Sequence, residues 1–145
     1  MEHLPQVLQA RQAVEYGELL VRLSDNDYTP PLTLKTAQLT LENNRKALTT
    51  AEQNAMTSLK NAYQAAQAAY AAIALAESNL ENARKVLAQD EAAYKAGTVS
   101  ALQVETDRVS VLVAEYGLLQ AKNAYWRALA ALSLAAGRDL TGLAR

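Results

Sequence analysis

The sequence predicts an all-α fold: an elongated antiparallel coiled-coil hairpin with one very long helix backed by two shorter ones. Composition is the first reason. Half of the 145 residues are apolar, and alanine, leucine, glutamine, glutamate and lysine, all good helix formers, dominate. Spacing is the second, because apolar residues return on alternating three- and four-residue steps over long stretches. Punctuation is the third: no proline or glycine occurs from residue 32 to residue 96, so nothing there stops a helix. Alanine methyls remove little surface from water, which favours a long thin seam over a globule.

The first helix is expected over residues 4–24, with Leu4, Val7, Leu8, Val14, Leu19 and Leu23 as packing residues and Gly17 as a weak point. The polar cluster "SDNDYTPP" follows and reads as a loop at 25–30. Thr29 is placed to cap the next helix, with Pro30 at its first position, where a missing N–H costs nothing.

The second helix is expected over 31–96. Leu34, Ala37, Leu41, Leu48, Ala51, Ala55, Ala62 and Ala69 make one stripe; from Ala66 a neighbouring one takes over, through Ile73, Leu80, Leu87 and Tyr94, interleaved with Ala76 and Ala83. This is a sustained heptad with one sideways step. About 65 residues make a rod of roughly 100 Å.

Residues 94–107, "YKAGTVSALQVETD", break the helical pattern once. Gly97 can take the left-handed conformation that ends a helix, with the cation Lys95 in the last turn. Ser100 followed by Gln103 is a capping-box pattern that starts a new helix. The turn is 97–100, the third helix 101–136 and the tail 137–145. That third helix carries two seams: Val104, Val111, Ala114, Leu118, Ala121, Tyr125, Ala128, Leu132 and Ala135 on one side, and Leu102, Val109, Leu112, Tyr116, Leu119 and Trp126 on another. Two seams mean two neighbours. One closes the hairpin; the other, with the stripe holding Ala65, Ala72 and Val86, is left for a second copy or a helical partner. The residues from Val104 to Leu132 in the first series are the candidate self-association seam.

Charge and composition exclude several functions. A net charge of −1 lacks the basic footprint that nucleic acid requires, and no basic run suits anionic lipid. No stretch is apolar enough to span a membrane as a helix. Absence of cysteine excludes disulfides and thiolate metal sites. The N-terminus has neither the basic start nor the apolar run of a secretory leader. His3 is the only histidine, and no catalytic set, phosphate loop or metal spacing is present. The chain reads as no enzyme, with no cofactor and no metal.

From the aromatic at Tyr94 through Gly97, Ser100 and the ladder Val111, Ala114, Leu118, Ala121, Tyr125, Ala128, Leu132, Ala135 and Gly137, the sequence resembles the repeat of TolC-like outer membrane efflux proteins. The resemblance covers about residues 34–139. It departs at Gln103, where the family usually has Asp, and at Asp107, where a small residue is usual. It implies one helical hairpin of a periplasmic α-barrel, a conduit wall that docks the adaptor protein of an export pump at the hairpin tip. The residues it implicates are Gly97, Thr98, Val99, Ser100, Leu102 and Gln103, with Thr98 and Val99 facing solvent. It also implies the periplasmic side of the outer membrane, the chain itself carrying neither leader nor membrane strands. The alternative is a coiled-coil scaffold or adaptor module that binds a helical partner; a surface-active amphipathic helix fits poorly, since alanine stripes bury little in lipid.

Some residues keep two readings at this stage. Tyr63 and Tyr70 line a wall or stand partly exposed. Trp126 reads as a packing residue. Asp90, Glu91, Glu105 and Asp107 flank the tip, either as solvated charges or as a cation-binding ring in a symmetric assembly.

Overall fold

The structure, a computed structural model, describes residues 4–140. They form three helices, α1 (Pro5–Ser24), α2 (Pro31–Lys95) and α3 (Ala101–Ala136), and no strand is present among them. His3 and the end of the expected tail, 141–145, lie outside the described residues. The described residues divide into two compact units. One takes everything up to Asn61 together with the residues from Leu132 onward; the other is Ala62–Ala131.

The helix ends follow from local chemistry. α1 gives way to a turn in which Asn26 Nδ2 donates to Leu23 O at 2.8 Å while its Oδ1 accepts from Tyr28 N at 2.9 Å, the dual use that suits asparagine to turns. α2 begins at Pro31, where the second helix is expected, but its cap lies one residue later than Thr29. Pro31 takes the first helical position and the carbonyl of Pro30, rather than Thr29, accepts the first helical bond, from Thr33 N at 2.9 Å.

Both later helix ends are glycine-terminated in the same way. Gly97 (φ 76°) and Gly137 (φ 64°) occupy the left-handed region. At the first, Gly97 N donates to Tyr94 O at 2.9 Å and Thr98 N to Ala93 O at 3.0 Å. At the second, Gly137 N donates to Leu134 O and Arg138 N to Ser133 O. These paired bonds capture helical carbonyls that would otherwise lack a donor.

In the first unit, α1 packs on the early part of α2 through Val7, Ala10, Val14, Gly17 and Val21, all buried or half-buried. Leu8, Leu19 and Leu23, expected to pack, are exposed instead. Gly17 explains the choice of face. A Cβ there would meet Leu41 Cα at 3.3 Å and Leu41 Cδ1 at 3.2 Å, so the glycine is what lets the two backbones come close. Asn44 Nδ2 then donates to Ala13 O at 2.8 Å across that contact.

Along α2 the less exposed stripe runs Leu34, Ala37, Leu41, Asn44, Leu48, Ala51, Ala55, Leu59, Ala62, Ala66, Ala69, Ile73, Ala76, Leu80, Ala83, Leu87 and Asp90. Its three- and four-residue steps alternate throughout, except that two four-residue steps come together at Ala51, Ala55 and Leu59. The sideways step is therefore a four-residue insertion in a continuous heptad. With Leu34 as position a, every d position is alanine except Asn44 and Asp90. Tyr94, expected on the stripe, is exposed.

In the second unit, α3 runs antiparallel to α2. Arg84 Nη2 meets Glu115 Oε1 at 2.7 Å and Arg108 Nη2 meets Glu91 Oε1 at 3.3 Å, while Tyr70 and Tyr125 stack with ring centroids 5.7 Å apart. The core residues here are Ala66, Leu80 and Val104.

Candidate functional site

Two surfaces of the second unit have the features of sites: the turn end of the hairpin and the outward faces of its helices. At the turn, Thr98 Oγ1 donates to Ala93 O at 3.0 Å, so its hydroxyl is folded back on the end of α2, and Val99 is half-buried rather than free. Ser100 Oγ accepts from Gln103 N at 3.2 Å. Only half of the expected capping box forms, because the Gln103 side chain reaches forward, Nε2 donating to Asp107 Oδ1 at 3.3 Å. Gly97 has no atom within 4 Å of where a Cβ would lie. Leu102, 77% exposed, is the apolar residue the turn end presents. Beside it runs a groove lined by Glu91, Tyr94, Lys95, Val104, Glu105 and Arg108. Arg108 spans its acidic walls, Nη1 to Glu105 at 2.8 Å and Nη2 to Glu91.

The residues expected to form the self-association seam, Val104, Val111, Ala114, Leu118, Ala121, Tyr125, Ala128 and Leu132, lie on the face of α3 turned to α2. These residues are buried or half-buried, on the α3 face that α2 meets through Tyr70–Tyr125 and the flanking ion pairs. The physical reason is that α2 offers an alanine d-row beside it, and a ladder of matching period closes on it first.

The other α3 seam remains open. Leu102, Val109, Leu112, Tyr116, Leu119 and Trp126 are all more than half exposed. Counting Val104 as a, they fall at b and f, the outward heptad positions, where a water-facing helix carries polar groups. On the opposite flank, Leu75 and Val113 stand exposed over a shallow groove floored by Ala72, Ala76, Ala114 and Gly117, and Gly117 leaves open space above its Cα. Tyr63 and Tyr70 are both more than half exposed, and Trp126 packs its ring on Tyr125 at 6.2 Å.

Of the four carboxylates at the turn end, Asp107 is not a solvated charge. It is 7% exposed, at a d position of the seam, with Oδ2 buried and without a hydrogen-bond partner. Desolvation by burial, then the facing Asp90 carboxyl, raise its pKa above the ordinary aspartate range, while Gln103 acts the other way. Sequence reasoning marked the position as unusual, but burial could not be read from it: an aspartate on a d position is visible only once the seam is phased. Among the described residues no three metal-ligating side chains cluster, and no described helix is long and apolar enough to cross a membrane.

A family model described as outer membrane efflux protein matches residues 32–138. No curated protein and no solved structure matches the chain.

Proposed function

The chain belongs to the outer membrane efflux protein family, and from that premise we propose that its hairpin forms part of the wall of a periplasmic conduit at the outer membrane. Copies pack side by side through the outward face of α3 and the grooved flank of α2 and α3, and the turn end, Gly97 to Gln103, docks the adaptor protein of an export pump. What carries the reading is the apolar b/f face of α3. An isolated hairpin has no use for Val109, Leu112, Tyr116, Leu119 and Trp126 in water, whereas a wall helix needs a neighbour on either side. The small-residue groove at Ala72, Ala76 and Gly117 supplies the complementary surface into which large side chains of a neighbour fit.

Light scattering across a concentration series tests the packing. A closed ring has a mass several times the 15.7 kDa of one chain, and Leu112→Glu dissociates it. A monomer or dimer that changes only on adding one helical partner overturns the wall reading in favour of a coiled-coil scaffold. Docking is tested separately, with a cysteine at Val99 in this cysteine-free chain. It cross-links to a cysteine at the adaptor tip, and an equally placed cysteine at Glu77 does not.

A further inference from the structure

We propose that Asp90 and Asp107 form a proton-sharing latch, which holds the turn-proximal end of the hairpin closed while one proton lies between the two carboxyls and loosens it when both are ionised. The argument begins with geometry. Both residues fall at d in the heptad phasing of their helices, on the stripes that make the seam, and the Asp90 carboxyl lies within hydrogen-bonding reach of that of Asp107. Asp107 is almost wholly buried, and its Oδ2 has no donor. As a carboxylate, Asp90 cannot supply one either, since an ionised carboxyl only accepts. A single proton between the two would give the orphaned oxygen its partner and remove one of two like charges from a dehydrated seam.

No nearby group performs that service. On α3, Gln103 Nε2 donates to Asp107 Oδ1, leaving Oδ2 unserved; Glu105 and Arg108 pair with each other, and Arg108 also with Glu91. On α2, beside Asp90, Glu91 is held by Arg108, and Tyr94 and Lys95 line the groove with it. The groups that act on the Asp107 carboxyl are Asp90 and Gln103, with no cation among them.

The direction of the pH effect follows by linkage. Burial and the Asp90 carboxyl raise the folded-state pKa of Asp107 above that of an unfolded aspartate. The latch's contribution is therefore complete below the unfolded value and is lost as pH rises through the higher folded one. This is opposite to a salt-bridged aspartate, which loses its contribution on acidification.

Amide hydrogen exchange on the intact chain tests the latch, with protection factors corrected for intrinsic rates. Opening of the last turns of α2 and first turns of α3 becomes rarer as pH falls from about 8 to about 4.5, by at most about tenfold per pH unit for a one-proton step. Asp107→Asn and Asp90→Asn each flatten that slope and protect the segment better than wild type at the alkaline end, while amides around Leu41 behave alike in all three proteins. A slope retained in both variants overturns the proposal, as does wild-type protection that falls on acidification. Should either variant fold poorly, carboxyl carbon NMR of the unmodified protein decides. Asp107 titrates above a free aspartate if the latch exists, and two ordinary aspartate titrations overturn it.

Discussion

Two helix contacts in this chain use the same heptad and the same alanine d-row, yet each takes in polar side chains, and the two that differ most are treated in opposite ways. Between α1 and α2 it is Asn44, whose Nδ2 donates to Ala13 O at 2.8 Å. Between α2 and α3 it is Asp107, whose Oδ2 is buried with no donor. A neutral amide at a close backbone approach completes its own hydrogen bond and fixes the register of the pair. A carboxylate in the same kind of position stays unsatisfied until it acquires a proton. One polar position sets geometry; the other responds to pH.

The glycines divide in the same way. Gly17 lies under α2 with Leu41 Cα 3.3 Å from where its Cβ would be, whereas Gly117 opens on empty space. The first permits a contact this chain makes with itself. The second leaves room that the chain does not fill, which is why the grooved flank it floors belongs to a neighbour in the proposed wall.

Substitutions can sharpen the contrast, and urea unfolding followed by circular dichroism at fixed protein concentration reads each one. Leu80→Ala, at a buried a position of the α2–α3 seam, has the largest effect, a loss of about 2–4 kcal/mol. Asn44→Ala costs about 1 kcal/mol at any pH near neutrality. Asp107→Ala instead stabilises the protein at neutral pH and loses that advantage in acid; equal pH profiles for the two variants would erase the distinction between the contacts. Gly17→Ala gains helix propensity but pushes α1 off Leu41, and the balance is a net loss of about 1 kcal/mol. Gly117→Ala meets nothing and gains about 0.5–1 kcal/mol, while filling the groove and weakening self-association. A loss at Gly117 matching that at Gly17 would mean the two sites are not different in kind. Removing Arg45 from its pair with Glu18 (2.9 Å), or Arg84 from its pair with Glu115 (2.7 Å), shifts stability by only a few tenths of a kcal/mol, since all four side chains are well exposed.

Much of the fold was legible in the residues because it is local. The ends of α2 and α3 rest on Gly97, Ser100 and Gly137, whose backbone freedom and short side chain act within a few residues. The length of α2 rests on the absence of any interruption from residue 32 to residue 96. The open face of α3 was legible too, as a second apolar series, and so was the oddity of Gln103 and Asp107 next to the turn. Less could be read where one helix has several apolar faces. In α1, Leu8, Leu19 and Leu23 were expected to pack together with Val7 and Val14, and the row through Val7, Ala10, Val14 and Gly17 won because small residues allow closer contact.

By itself, then, the sequence determined the number of helices, where they stop, and the three-four period along which any partner must pack. Tertiary structure decided which of the two α3 seams meets α2, which face of α1 lies down, and that Asp107 is enclosed with Asp90. The physical reason is that capping and propensity are settled within a turn or two of helix, whereas burial belongs to a pair of helices. It depends on the phase between two ladders, and a one-step change in that phase moves a carboxyl from solvent into the seam.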